Sequence, residues 1–187
     1  MPGDELIAVK HVTLRPRRPI SLVRPSTIMR LTVAAVGRLK DAERELVERY
    51  AKRFDPTARP LGLGPLTIHE LNESRAGSAD ARKADEATRL LKVAGPTTPR
   101  VVLDEHGKAL SSEAFAAWIG QQRDGGCKTL AFLIGGPDGH GSVSLTGAAL
   151  KLSLGPMTLP HGLARAVLVE QLYRVATILA GHPYHRS

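Results

Sequence analysis

Residues 129–134, Thr-Leu-Ala-Phe-Leu-Ile, run without the polar alternation of a half-wet strand. A continuous apolar run of this length belongs to a strand covered on both faces, the situation of a parallel sheet sandwiched between helices. The rest of the chain keeps step with that constraint. Residues 31–36 read as a strand closed by Gly37, and residues 40–54 then place Ala42, Leu46, Val47, Tyr50 and Phe54 at helical spacing. A Pro/Gly loop is expected over 56–65, a second strand over 66–71 and a helix with a charged outer face over 80–93. Residues 100–104 form a buried strand. Ser111 and Ser112 then offer N-caps, with Glu113 in the first turn of a helix carrying Phe115, Trp118 and Ile119. A long helix over 161–180 completes the pattern. Strands alternating with helices specify an α/β fold with a mostly parallel sheet and helices on both faces.

The chain has 187 residues, room for one such domain with a proper core but not for a second catalytic one. Residues 1–28 stand apart: Lys10, Arg15, Arg17, Arg18 and Arg24 outnumber Asp4 and Glu5, and Pro16, Pro19 and Pro25 interrupt any regular pattern. This extension lacks the apolar core and small-residue cleavage site of a secretory signal. It reads either as a basic arm for RNA or as an upstream start with Met29 the working initiator. The second is favoured, because a strand begins immediately after Met29. A formal charge of +8 points to an anionic partner, since clustered Lys and Arg gain affinity for phosphate backbones by releasing counterions. The single cysteine, Cys127, excludes an internal disulfide and a multi-cysteine metal site, which is compatible with a reducing cytoplasm, and is expected as a small buried side chain beside a strand. No apolar run approaches the roughly 20 residues that span a bilayer.

In open parallel sheets ligands bind beyond the carboxyl ends of strands, and three segments there carry unusual residues. The first, Leu103-Asp104-Glu105-His106-Gly107, runs an apolar strand straight into acids and a turn glycine; its plain alternative is a polar turn. The second is Ile134-Gly135-Gly136-Pro137-Asp138-Gly139, followed by His140 and Gly141. Paired glycines at a strand end let backbone approach a ligand, and proline fixes the next φ; the plain alternative is a tight strand-to-helix turn. Neither the dinucleotide fingerprint nor the phosphate loop is matched, which disfavours nicotinamide and ATP. The third, Leu154-Gly155-Pro156-Met157-Thr158-Leu159-Pro160-His161, is a stiff irregular loop able to offer backbone groups to a flat ring such as adenine. Its plain alternative is a helix lead-in, with the His161 side chain as a cap. The helix after it carries Arg165, Glu170 and Arg174, and the chain ends His182-Pro183-Tyr184-His185-Arg186-Ser187, a tail suited to stacking and phosphate pairing on RNA. Two histidines without an acidic or thiolate partner do not make a metal site.

Taken together, Leu-Asp at 103, Ile-Gly-Gly-Pro-Asp-Gly at 134, Met-Thr-Leu-Pro-His at 157, the helix with Arg165, Glu170, Gln171, Leu172, Tyr173 and Arg174, and the ending His-Pro-Tyr-His-Arg resemble the RlmH family over residues 29–186. These are large-subunit ribosomal RNA pseudouridine N3-methyltransferases of the SPOUT class. The resemblance implies a homodimer, a C-terminal half threaded as a deep trefoil knot, S-adenosylmethionine as cofactor, no metal, and large-subunit ribosomal RNA in the ribosome as substrate. It implies that Leu103, Gly136, Gly155, Pro156, Met157, Thr158, Leu159 and Pro160 surround the cofactor, mainly through backbone. Tyr184, His185 and Arg186 would reach the target uridine across the dimer interface. His185 or Glu170 is then expected to assist loss of the N3 proton, and Arg165 or Arg186 to steady the anion or hold phosphate. The chain departs from the pattern at Asp138, where relatives often carry Glu, in the Gly/Ser-rich segment 139–147, and at Gly155-Pro156. Two other functions share these residues: a catalytically silent RNA-binding or ribosome-assembly protein, and a methyltransferase for another RNA base.

Overall fold

A computed structural model describes residues 28–182. Most of the extension and the last five residues, including Tyr184, His185 and Arg186, lie outside the described residues. Five strands, β1 (Met29–Val36), β2 (Leu63–Leu71), β3 (Arg100–Ala109), β4 (Thr129–Ile134) and β5 (Leu150–Ser153), form one sheet in the order β2-β1-β4-β3-β5. Every pairing in it is parallel. Between them run α1 (Asp41–Ala58), α2 (Ala79–Ala94), α3 (Ser112–Asp124) and the one-turn α4 (Ser142–Leu145), with α5 (His161–Leu179) last.

The alternation of side chains along β1 divides the core. Leu31, Val33 and Ala35 face one side and pack with Phe54 and Ala58 of α1, Phe115 and Ile119 of α3, and Leu168 and Leu172 of α5. Ala34 and Val36 face the other side, where Leu90 and Ala94 of α2 and Leu145 after β4 cover them. The expected two-faced parallel sheet is therefore present. β4 matches its apolar run residue for residue, because both of its faces are covered.

Local chemistry starts two of the helices, α3 at Ser111 as expected and α2 at Ser78. Ser78 Oγ accepts from the Ala81 N–H and Ser111 Oγ from the Ala114 N–H, each at 3.2 Å, satisfying donors that the first turn leaves unpaired. Ser111→Ala is expected to cost about 1 kcal/mol. In a chain this size that lowers the thermal midpoint by roughly 2–4 °C.

Two expectations need correction. The loop over 56–65 is not a loop: α1 continues through Pro56 to Ala58, a 3-10 turn covers Arg59–Leu61, and β2 begins at Leu63. Interior proline costs roughly 3 kcal/mol. Here Phe54 and Ala58, both fully buried, anchor the last turn. Asp55 Oδ1 also accepts from the Leu66 N–H at 3.0 Å. β3 does not stop at 104. Its pairing with β5 slips so that Leu152 stands opposite both Leu103 and Lys108, and residues 104–107 bulge out between. Gly107 sits so close to β5 that a Cβ there would lie 2.7 Å from the Lys151 carbonyl carbon. β5 and α4 had no periodic signal, being four residues each.

Candidate functional site

β4 exits toward α4 on one face and β3 toward α3 on the other, so the connections diverge beyond the strand ends, the arrangement that opens a ligand crevice in parallel sheets. A cleft of about 660 Å³ lies there. Its walls are residues 103–106, 134–140 and 157–161, together with Leu152, Leu154, Gly155 and Ala164. The three loops singled out in the sequence thus converge on one cavity. Of the residues expected around the cofactor, Leu103, Gly136, Gly155, Met157, Thr158, Leu159 and Pro160 line it, while Pro156 does not.

The glycine loop is a tight turn: the Gly139 N–H donates to the Gly136 carbonyl at 2.9 Å around Pro137 and Asp138. Glycine is required at 135, where a Cβ would stand 2.9 Å from the Gly139 oxygen. It is required at 136 too, where a Cβ would stand 2.7 Å from Glu86 Oε2 and 3.0 Å from Val36 Cγ1. Backbone alone therefore faces the cleft at these positions. His140 anchors the far end of the turn: the Gly135 N–H donates to its Nε2 at 3.1 Å. That leaves the proton of the neutral ring on Nδ1, pointing at Ser144 Oγ 3.2 Å away, whose hydroxyl donates to the Gly141 carbonyl at 2.8 Å.

Burial lowers the His140 pKa, with Asp104 and the Leu103 backbone opposing. A histidine kept neutral by the fold takes up its proton at higher pH when unfolded. Its contribution is therefore complete above the ordinary histidine range and is lost as pH falls through the lowered folded value. Stability measured by urea unfolding is expected to drop more steeply between pH 7 and pH 5 in the parent chain than in His140→Gln. Parallel curves would remove His140 as the cause.

α5 carries the residues expected to act on the substrate, and the structure places them differently from one another. Arg165 is fully buried. Its Nη1 donates to Glu70 Oε1 at 2.8 Å, and its Nη2 to the Gly37 carbonyl at 2.8 Å and the Val36 carbonyl at 3.2 Å. It ties α5 to the ends of β1 and β2 and is not among the residues that line the cleft. Glu70, which sequence reading missed, is the hub of this tie, since Oε1 also accepts from the Leu39 N–H at 3.0 Å and Oε2 faces Arg44 at 3.5 Å. Its position as an acid near the end of β2 was the available signal. The Glu170 carboxylate accepts from Arg174 at 2.6 Å through one oxygen and from Gln171 at 2.7 Å through the other. His161 does not cap its helix with a side-chain bond. Its ring packs on Gly37 instead, where a Cβ would come within 2.6 Å of Nε2. Cys127 is half-buried and its thiol donates to the Thr129 carbonyl at 3.1 Å.

A family model described as "Predicted SPOUT methyltransferase" matches residues 29–185. The chain is 54% identical over 160 residues to the ribosomal RNA large subunit methyltransferase H of Brucella anthropi, covering 85% of this chain and 100% of that protein. It is 51% identical over 160 residues to the protein of the same name from Xanthobacter autotrophicus, with the same coverage. Among solved structures, the A. aeolicus TrmH/SpoU tRNA modifying enzyme gives a distant likeness, with a TM-score of 0.39 and 12% identity over 89% of this chain and 85% of that one.

Proposed function

The chain belongs to the SPOUT methyltransferase family, among the large-subunit ribosomal RNA methyltransferases, and from that premise we propose that it methylates N3 of a pseudouridine in helix 69 of 23S ribosomal RNA, using S-adenosylmethionine. The convergence of the three strand-end loops on one cleft is the observation that carries this reading. The cleft suits the cofactor on its own terms. Leu103, Ile134, Leu152, Leu154 and Leu159 supply apolar walls for an adenine, the glycine turn offers backbone without side chains, and Asp104 and Glu105 give the rim a negative charge that favours a cationic ligand.

S-adenosylmethionine supplies, when bound, a methyl group on a sulfonium that is already a good electrophile. What is left to the protein is position and one proton. The three loops hold the donor and exclude water from it, and the target base must present N3 in line. The N3 proton leaves to a base or to water, and a cation steadies the anion that forms. In this proposal His185 assists the proton's departure, and Tyr184 and Arg186 of the tail engage the uridine across a homodimer interface. With Arg165 inside the core, the anion and phosphate role falls to Arg186, and Glu170 acts through Arg174 and Gln171. The trefoil threading of the C-terminal half, a domain spanning 29–187 with residues 1–28 outside it, and a cytoplasmic setting on the ribosome belong to the same proposal.

The test is transfer of labelled methyl from S-adenosylmethionine to ribosomes that lack the modification, followed by mapping of the labelled nucleotide. Label at N3 of the helix 69 pseudouridine is the expected result. Cofactor binding with label elsewhere would move the substrate to another RNA base, and absence of both binding and transfer would favour a silent RNA-binding protein.

A further inference from the structure

The glycine turn at the cleft is built on α2, and α2 leaves it no slack. A Cβ at Gly136 would meet Glu86 Oε2 at 2.7 Å, and one at Gly141 would meet the Lys83 carbonyl oxygen at 2.6 Å. Glu86 is buried and its other oxygen accepts from the Ser74 N–H at 2.8 Å. These contacts limit how far the loop can press inward, but steric contact does not stop it from lifting away. The tip is held down by Asp138. Its Oδ2 accepts from Arg82 Nε at 2.6 Å and its Oδ1 from Arg82 Nη2 at 3.1 Å, the parallel two-bond geometry of a guanidinium with a carboxylate. The same guanidinium reaches the loop that follows β2, where Nη1 donates to the Ala76 carbonyl at 3.3 Å. Both side chains are about one-third exposed, at 32% and 27%, so the pair is shielded on one side and screened on the other.

We propose that Arg82 is a positioning residue for the methyl-donor cleft, fixing the tip of the glycine turn through Asp138 so that the Gly135 and Gly136 backbone faces the ligand in one arrangement. The identity of the ligand rests on the function proposed above; the clamp itself does not. Pro137 and the Gly139–Gly136 bond fix the shape of the turn itself, but its glycines leave it able to tilt away from α2, and any freedom it keeps is freedom that ligand binding must remove. Arg82 removes it beforehand.

Arg82→Ala, Asp138→Asn and the exchanged pair Arg82→Asp with Asp138→Arg decide the matter. The readouts are calorimetric affinity for S-adenosylmethionine, KM and kcat for methyl transfer, and amide hydrogen exchange over residues 135–141 without ligand. Each single variant is expected to bind S-adenosylmethionine roughly three- to tenfold more weakly, with the loss concentrated in KM rather than kcat. Exchange over 135–141 should quicken, and the exchanged pair should recover part of both losses. Unchanged affinity and exchange in the single variants would overturn the proposal, as would a fall in kcat with KM unmoved. If the parent chain binds no S-adenosylmethionine the cofactor reading fails, and the exchange measurement still decides whether Arg82 holds the turn.

Discussion

Arg165→Ala is expected to destabilise the fold by roughly 3 kcal/mol, as a lower urea midpoint and a lower thermal midpoint. Removing the guanidinium leaves the Val36 and Gly37 carbonyls without their donor and Glu70 without its buried partner. Glu70 is 24% exposed, so water relieves part of its loss, which puts the figure at the low end for a broken buried pair. Burial works against the charge on Arg165 and lowers its pKa, with Glu70 opposing. Such a pair is costly to break without being a large net source of stability. The double variant Arg165→Ala with Glu70→Ala should therefore lose less than the sum of the singles. Arg165→Lys should recover only part, since an ammonium cannot serve Glu70 and two carbonyls in one plane. A full loss of methyl transfer in Arg165→Ala at unchanged stability would return this residue to the chemistry, where sequence reading first put it.

Gly136→Ala should act at the cleft instead, with methyl transfer falling by roughly 100-fold, since misplacing a binding surface by about 1 Å has an effect of that order. The added methyl points away from the cleft, into Glu86 Oε2 at 2.7 Å and Val36 Cγ1 at 3.0 Å. Glu86 cannot swing aside freely, because its other oxygen holds the Ser74 N–H. The loop must move toward the cleft. Removing the obstacle in Gly136→Ala with Glu86→Ala should restore part of the activity, with Val36 still in the way. If the single variant retains parental activity and S-adenosylmethionine affinity, the close packing of this turn on α2 has no bearing on function.

Much of the site was written in local sequence. Paired glycines before a proline at the end of an apolar strand, and a Gly-Pro loop before a long helix, mark candidate ligand loops in a parallel sheet, and Gly136, Gly155 and their neighbours line one cleft. His140 was visible only as the residue after the turn; its role appears once the Gly135 N–H and Ser144 are seen on its two nitrogens. The burial of Arg165 was not legible, for a physical reason. An arginine on a helix face is usually solvated, and nothing nearby in the chain marks the acid that draws it inside.

The alternation of apolar strands with helical spacing determined the fold class, and the serines at 78 and 111 determined where two helices start, because periodicity and capping act over one or two turns. The tertiary structure decided the rest. Glu70 and Arg165 are separated by 95 positions and Arg82 and Asp138 by 56, so which charges meet depends on strand order. The bulge over 104–107 depends on the register against β5, and the continuation of α1 through Pro56 depends on the cavity that Phe54 fills. Each is settled by a partner far along the chain, whose burial outweighs the preference of the local segment.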